Sequence, residues 1–249
     1  MSKFEEEYKE LLRKILSYGS KEANRTGVDC YTLFGKDISF YLGNNEMPVI
    51  TGKKIFYDKA YHEADWIYSG KTDIKYLNEN GIYWWDQYAI NGYVDKTYGY
   101  QLRNYNNGFD QIEYVIQEVI KGSRRAFMTF WNPLDQNQNI PCCYTGMNFV
   151  LTGNKSILNA EVQFRSSDVF LGLPYDFIVL AKILKWIAQE SNKKVGTIKY
   201  CLSNAHVYYN HFDAIQQYLK TKTYHLPFDN STDTLEYKSG PLIKAKLNN

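Results

Sequence analysis

Several side chains in this sequence have types and spacings that could do chemistry. Cys142, in Pro141-Cys142-Cys143, is a candidate nucleophile. A thiol attacks once it is a thiolate, and a nearby guanidinium favours that ionisation. Arg25 in Arg25-Thr26-Gly27, the pair Arg124-Arg125 after Ser123, and Arg165 beside Ser166 could supply such a cation or grip a phosphate. Their planar forks donate parallel hydrogen bonds and stay charged. His206 and Tyr208 stand two apart, a spacing that puts both on one side of a strand. Glu63, between His62 and Ala64, is a candidate proton carrier. Each has a plainer alternative: free cysteines are mostly small buried hydrophobes, a single histidine is commonly packed, and a helical carboxylate can face solvent.

The elements that must position these groups follow from periodicity. Phe4 to Tyr18 has apolar residues at 4, 8, 11, 12, 15 and 16, the spacing of an amphipathic helix. A second helix is predicted over Tyr57 to Tyr68, ending at Ser69-Gly70, with Thr72 as the cap of a short third. Gln111 to Ile120 reads as a helix between the turn at Asn107-Gly108 and Gly122. Leu173 to Gln189 is the most apolar helix and the candidate for the buried one, and Tyr209 to Leu219 is a late helix. Strands are predicted at Tyr31 to Phe34, Ile38 to Leu42, Ala126 to Trp131, Tyr144 to Leu151, Ile157 to Phe164 and Val195 to Leu202. With no internal repeat or linker-like run, the expectation is one α+β domain over residues 1–249.

Composition narrows the function classes. The chain has 249 residues, 44% of them hydrophobic, enough for a substantial core. A net charge of +2 gives no global electrostatic reason to bind a nucleic acid, so a small phosphate-bearing metabolite is the better-fitting anion. The 23 Tyr and 13 Phe predict many buried rings with polar tips. The four cysteines, at 30, 142, 143 and 201, lack paired metal-ligand spacing, and no metal is expected. A charged N-terminus and the lack of any run of transmembrane length point to a soluble cytoplasmic protein with no membrane partner.

The stretch Arg165-Ser-Ser-Asp-Val-Phe-Leu-Gly-Leu-Pro-Tyr-Asp176, with Asn132, Pro141-Cys142 before it and His206-Val-Tyr208 after it, resembles the thymidylate synthase superfamily. The resemblance runs from Arg25 to the tail. It implies an α+β fold in which a twisted mixed sheet carries helices on one face and forms a homodimer through the other. It implies transfer of a one-carbon unit from 5,10-methylenetetrahydrofolate to C5 of a pyrimidine nucleotide, through a Cys142 adduct at C6. By the same resemblance Arg25, Arg165 and Ser166 hold the phosphate, with Arg124 and Arg125 reaching in from the other subunit. His206 and Tyr208 hold the sugar, Glu63 and Tyr98 move protons, and Trp85, Asp168, Leu171 and Gly172 form the folate surface. The chain departs from the family pattern at Cys143, where many members have His, at Tyr88, often a second Trp, at Ser203-Asn204-Ala205, usually Gly-Asp-Thr, and at Phe164, usually Gln.

The departure with the clearest chemical content is Asp176, where a thymidylate synthase has Asn and where the resemblance places the reader of the base. Uracil offers an N3-H donor and an O4 acceptor, which a carboxamide matches; cytosine offers the reverse. A protonated Asp can donate to N3 and accept from N4, and mispairing costs about 1 to 3 kcal/mol. Members of the superfamily with this Asp hydroxymethylate dCMP. The polar end, Lys244-Ala-Lys-Leu-Asn-Asn249, replaces an apolar tail that excludes water, so water rather than hydride completes the expected reaction. The expectation is a deoxycytidylate 5-hydroxymethyltransferase. The alternatives are a thymidylate synthase, a dCMP methylase, a CMP hydroxymethylase and, from another class, a non-catalytic nucleotide- or RNA-binding homologue.

Overall fold

The computed structural model describes residues 3–43, 46–135, 140–224 and 239–248, together with the backbone of Phe228–Asp229 and Thr234–Leu235. Its frame is a seven-stranded mixed sheet. In chain order the strands are β1 (Ser20–Glu22), β2 (Cys30–Tyr41), β3 (Phe127–Thr129), β4 (Tyr144–Thr152), β5 (Ile157–Phe164), β6 (Ser167–Asp168) and β7 (Lys194–Tyr208). The order across the sheet is β1-β2-β7-β5-β4-β3, with the short β6 also paired to β7. Only the β5–β7 and β6–β7 pairs are parallel. Their crossover is α6 (Leu173–Glu190), as a parallel connection requires.

Five further helices matter for the site: α1 (Lys3–Tyr18), α2 (Tyr57–Tyr68), α3 (Lys75–Glu79), α4 (Tyr98–Asn104) and α5 (Gln111–Ile120). A seventh, α7 (Phe212–Leu219), follows a single 3-10 turn at Tyr209–His211. Helices α1 and α6 lie against β2, β5 and β7, and α2 packs on α6. The apolar stripe of α1, with Phe4, Tyr8, Leu12 and Ile15 buried, seats on Phe40 and Phe177 through edge-to-face ring pairs. α6 is apolar nearly all round and correspondingly buried. The opposite face of the sheet is open and polar: Lys199 bridges Asp37 and Glu161, and Phe127 and Val150 are exposed beside them.

Several sequence expectations need correction. Tyr31 to Phe34 and Ile38 to Leu42 are not two strands but parts of one, β2, which runs through Gly35 at φ 63°. The strand expected to stop at Leu202 continues to Tyr208, its backbone paired with β2 throughout. Ala126 to Trp131 shrinks to β3, and the late helix begins at Phe212 instead of Tyr209. Thr72 caps no helix: its carbonyl accepts from Val94 N–H, and α3 starts after Ile74 without a side-chain cap. α4, β1 and β6 had no expected counterpart.

The join in β2 and the extension of β7 are one feature. Along β7, Gly196, Ile198, Tyr200 and Leu202 are buried, and then the buried set changes parity to Ala205 and Val207. The change falls at Ser203-Asn204, across the ladder from Gly35, whose positive φ a Cβ-bearing residue adopts only with strain. Without it His206 and Tyr208 would point with Tyr200 into the helical core. With it they emerge on the other side, into a cleft.

Candidate active site

The cleft, of about 560 Å³, opens where β2, β6, β7 and the start of α6 converge. Eleven residues expected from the sequence or noted there as departures from the family pattern line it: Arg25, Tyr88, Cys143, Arg165, Ser166, Asp168, Gly172, Asp176, Asn204, His206 and Tyr208. Arg25 sits exposed on the turn joining β1 to β2. Asn24 builds that turn locally, its Oδ1 accepting from the N–H and hydroxyl of Thr26 at 2.9 and 2.7 Å. The Arg165 guanidinium is oriented by two carbonyls, Cys142 O at 2.8 Å from Nε and Pro141 O at 2.9 Å from Nη2, and lies 5.3 Å over the Trp131 ring. The remaining N–H groups are left for an anion in the cleft. His206 Nδ1 lies 2.9 Å from Asn204 Oδ1 and 3.5 Å from Ser166 Oγ, and its ring meets that of Tyr208 edge-on at 5.4 Å. Burial lowers the His206 pKa, favouring the neutral ring.

Asp176 stands in the first turn of α6, held by its N–H to Gly172 O at 3.1 Å. Burial raises its carboxyl well above the usual range, with Glu63 and Asp168 adding repulsion. Asp168 spends Oδ1 on the N–H groups of Phe170 and Leu171 at 3.0 and 3.2 Å. A Cβ added at Gly172 would stand 3.9 Å from Asp176 Oδ2 and 4.0 Å from Asp168 Cβ, so the missing side chain leaves room between the two carboxylates. The wall there is bare and acidic, and its acceptors are of the kind that ring N–H donors require. Leu171 is half-buried and lies outside the cleft lining.

A second group of expected residues lies behind that wall. Glu63 is buried on α2 and accepts from Trp85 Nε1 at 2.7 Å and Trp84 Nε1 at 3.4 Å. Burial nevertheless pushes it up to about 7. Trp85, expected as a flat surface for folate, is buried and tilted against Trp66 at 5.1 Å, and its N–H donates to Glu63. Its large ring belongs to the core and its polar tip to the acid. Tyr98, first residue of α4, is buried against Tyr144 at 4.4 Å, and its hydroxyl accepts from Cys143 N–H at 2.7 Å.

Of the adjacent cysteines, Cys142 is 1% exposed, with Sγ 3.4 Å from Thr97 Oγ1, whereas Cys143 lines the cleft. Desolvation pushes the Cys142 thiol up to about 12, against the opposing pull of Thr97 and Arg165. Arg124 and Arg125 are exposed next to β3 and do not line this chain's cleft. Sequence reasoning assigned no role to Asn204, Thr97, Trp84 or Cys143. The short polar insert Ser203-Asn204 was the signal for the first; the others announce themselves only through contacts.

Residues 6–239 match the thymidylate synthase family model. The chain belongs to the thymidylate synthase family. Membership makes it a folate-dependent transferase that moves a one-carbon unit to C5 of a pyrimidine nucleotide, with methylenetetrahydrofolate as donor. The mixed sheet with helices over one face is the family architecture. Among the described residues no group of three potential metal ligands exists, and no helix is long and apolar enough to cross a membrane.

Proposed function

We propose that this family member is a deoxycytidylate 5-hydroxymethyltransferase. The observation that carries the reading is a half-buried carboxyl, Asp176, in the lining of the cleft, whose pKa is raised by desolvation and by the neighbouring Glu63 and Asp168, which favours its protonated form. Thiolate attack at C6 builds negative charge on the pyrimidine, and in cytosine that charge reaches the unprotonated N3. A protonated Asp176 gives N3 a proton as the charge develops and accepts from N4-H, stabilisation greatest in the transition state. Uracil already carries a proton at N3 and gains nothing equivalent.

Arg25, Arg165 and Ser166 hold the phosphate, and His206 and Tyr208 the sugar hydroxyl. Cys142 forms the bond to C6 and later leaves with its electron pair, once Glu63 and Tyr98 have moved protons at C4 and C5. A polar end of the chain supports hydration as the last step: Leu247 and Asn248 line the cleft, and Asn248 exchanges two amide hydrogen bonds with Asn210 at 2.9 and 3.0 Å. Tetrahydrofolate leaves first, unoxidised and taking a proton on its nitrogen; water then adds its oxygen to the electrophilic C5 methylene and loses a proton, and the electron pair returned to the ring expels Cys142 from C6.

The place of Cys143 in the cleft lining favours a second reading of one role, in which Cys143 is the nucleophile and Cys142 supports it. We further propose a homodimer through the open sheet face, with Arg124 and Arg125 serving the neighbouring cleft.

The test is mass spectrometry of products from dCMP, CMP and dUMP offered together with methylenetetrahydrofolate. Hydroxymethyl-dCMP with tetrahydrofolate is expected. Methylated dUMP with dihydrofolate makes the protein a thymidylate synthase, and methylated dCMP overturns the hydration step.

A further inference from the structure

Thr97 stands immediately before α4, at the position where a threonine ordinarily caps a helix by accepting from a backbone N–H of the first turn. It makes no such bond. Its hydroxyl oxygen instead lies 3.4 Å from Cys142 Sγ, a hydrogen-bond distance for sulfur, and both residues are 1% exposed. The helix forgoes a side-chain cap, and the hydroxyl is given to the thiol. The turn that carries Thr97 is firmly held. Its N–H donates to Asp95 O at 2.6 Å and its carbonyl accepts from Gln101 N–H at 3.1 Å. Gln101, fully buried, donates from Nε2 to Lys96 O at 2.7 Å and to Asp135 Oδ2 at 2.9 Å, tying this turn to the segment after β3.

The thiol it meets is hard to ionise. Desolvation pushes Cys142 up to about 12, and the hydrogen bond to Thr97 is the strongest influence in the other direction, ahead of the charge on Arg165. The other titratable groups coupled to Cys142 are Cys143, Tyr98 and Tyr144, each of which repels a second negative charge. Arg165 lines the cleft, where a bound phosphate claims its charge, whereas Thr97 lies outside the cleft lining. A ligand there leaves the threonine hydroxyl to the sulfur. A thiol can donate to Thr97 Oγ1, but a thiolate has no proton to give, so on ionisation Thr97 becomes the donor.

We propose that Thr97 is a catalytic residue, the hydrogen-bond donor that holds the Cys142 thiolate before it attacks C6 and receives it again when it leaves. The inference rests on Cys142 being the nucleophile. Cys142 loses its proton to solvent, and a sulfur electron pair then forms the S–C6 bond while the C5–C6 π pair moves into the ring. On release the S–C6 pair returns to sulfur. Thr97 keeps its own proton throughout and turns it to the sulfur whenever the sulfur is charged.

The experiment is rapid-quench measurement of covalent adduct formation by the full-length protein with 5-fluoro-dCMP and, separately, 5-fluoro-dUMP, each with methylenetetrahydrofolate, the adduct being located by peptide mapping. Losing a hydrogen bond to a charged group moves a pKa by about 1 to 2 units, and the more basic thiolate regains about half of that in nucleophilicity. Thr97→Val is therefore expected to slow adduct formation at saturating nucleotide about three- to tenfold, with the half-saturating concentration unchanged. Thr97→Ser, which keeps the hydroxyl, is expected to recover most of that loss. An adduct on Cys142 at the wild-type rate in Thr97→Val, or equal slowing in Thr97→Ser, overturns the role of Thr97 and leaves the nucleophile in place. An adduct on Cys143, or none with either nucleotide in the wild type, overturns the nucleophile assignment and this inference with it. Thr97→Ala takes the place of Thr97→Val, with the same expectation, if the valine variant does not fold.

Discussion

The two sides of the active site solve different physical problems. The cleft side, with Arg25, Arg165, Ser166, His206 and Tyr208, is partly open to water, and its groups are arranged to meet charges and hydroxyls a ligand brings. The rear side, with Glu63, Trp85, Tyr98, Tyr144 and Cys142, is nearly dry, and its groups are tuned by one another. Solvated cations and donors contribute affinity and orientation. Desolvation moves the Glu63 carboxyl toward neutrality, the condition for efficient proton transfer, while it pushes the Cys142 thiol and the Tyr98 phenol the other way. Asp176 stands at the boundary, lining the cleft while carrying the raised pKa of the rear side.

The comparison breaks first if the rear side can be altered cheaply. Cys142→Ser is expected to lower turnover by about four orders of magnitude and to abolish a covalent adduct with a 5-fluoropyrimidine nucleotide, while Cys143→Ser costs about tenfold. Peptide mapping of the trapped adduct checks this, and an adduct on Cys143 reverses the assignment.

Glu63→Gln comes next, with an expected loss of about 10² to 10⁴ in kcat and little change in KM for the nucleotide. It also tests the electrostatics. Glu63 has its folded pKa raised from 4.5 to about 7, so its contribution to stability is fully present below pH 4.5 and is lost as pH rises through 7. Denaturant titrations of the wild type from pH 4.5 to 7.5 are expected to lose about 3 kcal/mol that Glu63→Gln retains. Parallel curves for the two proteins mean the carboxyl is not buried as described.

Asp176→Asn sharpens the boundary between the sides. It is expected to shift kcat/KM by roughly ten- to hundredfold from dCMP toward dUMP, which competition assays measure directly. An unchanged preference moves base selection elsewhere.

The proposed contribution from the neighbouring subunit is tested by combining variants. Arg124→Ala/Arg125→Ala and Cys142→Ser are each expected to be nearly inactive alone. If the arginines serve the neighbouring subunit, random re-pairing restores about a quarter of wild-type activity, since half the dimers are mixed and each mixed dimer has one intact site. No recovery on mixing argues that the arginines do not cross.

Much of the frame was legible before any coordinates. The helices at Tyr57–Tyr68 and Gln111–Ile120 appear at the expected bounds because one apolar stripe and clear stop signals mark each. The continuous strand through Gly35 and the length of β7 were hidden, because a polar Ser203-Asn204 reads locally as a break and only the facing strand keeps it paired. The cleft residues Arg165, Ser166, Asp168 and Asp176 were visible as a motif. The inward position of Trp85 was not, since an indole suits a stacking surface and a core equally well.

What the sequence determined by itself is the inventory: a cysteine that follows a proline, a set of phosphate-suited guanidiniums, an Asp where the family resemblance expects the base reader, and apolar periodicities that oblige a mixed sheet to carry helices. The tertiary structure alone decided solvation. It buried Cys142 and left Cys143 in the cleft lining, drew Glu63 under two indoles, and kinked β7 so that His206 and Tyr208 face the cleft. Those choices depend on which distant segments meet, because desolvation is a property of surroundings contributed by many parts of the chain.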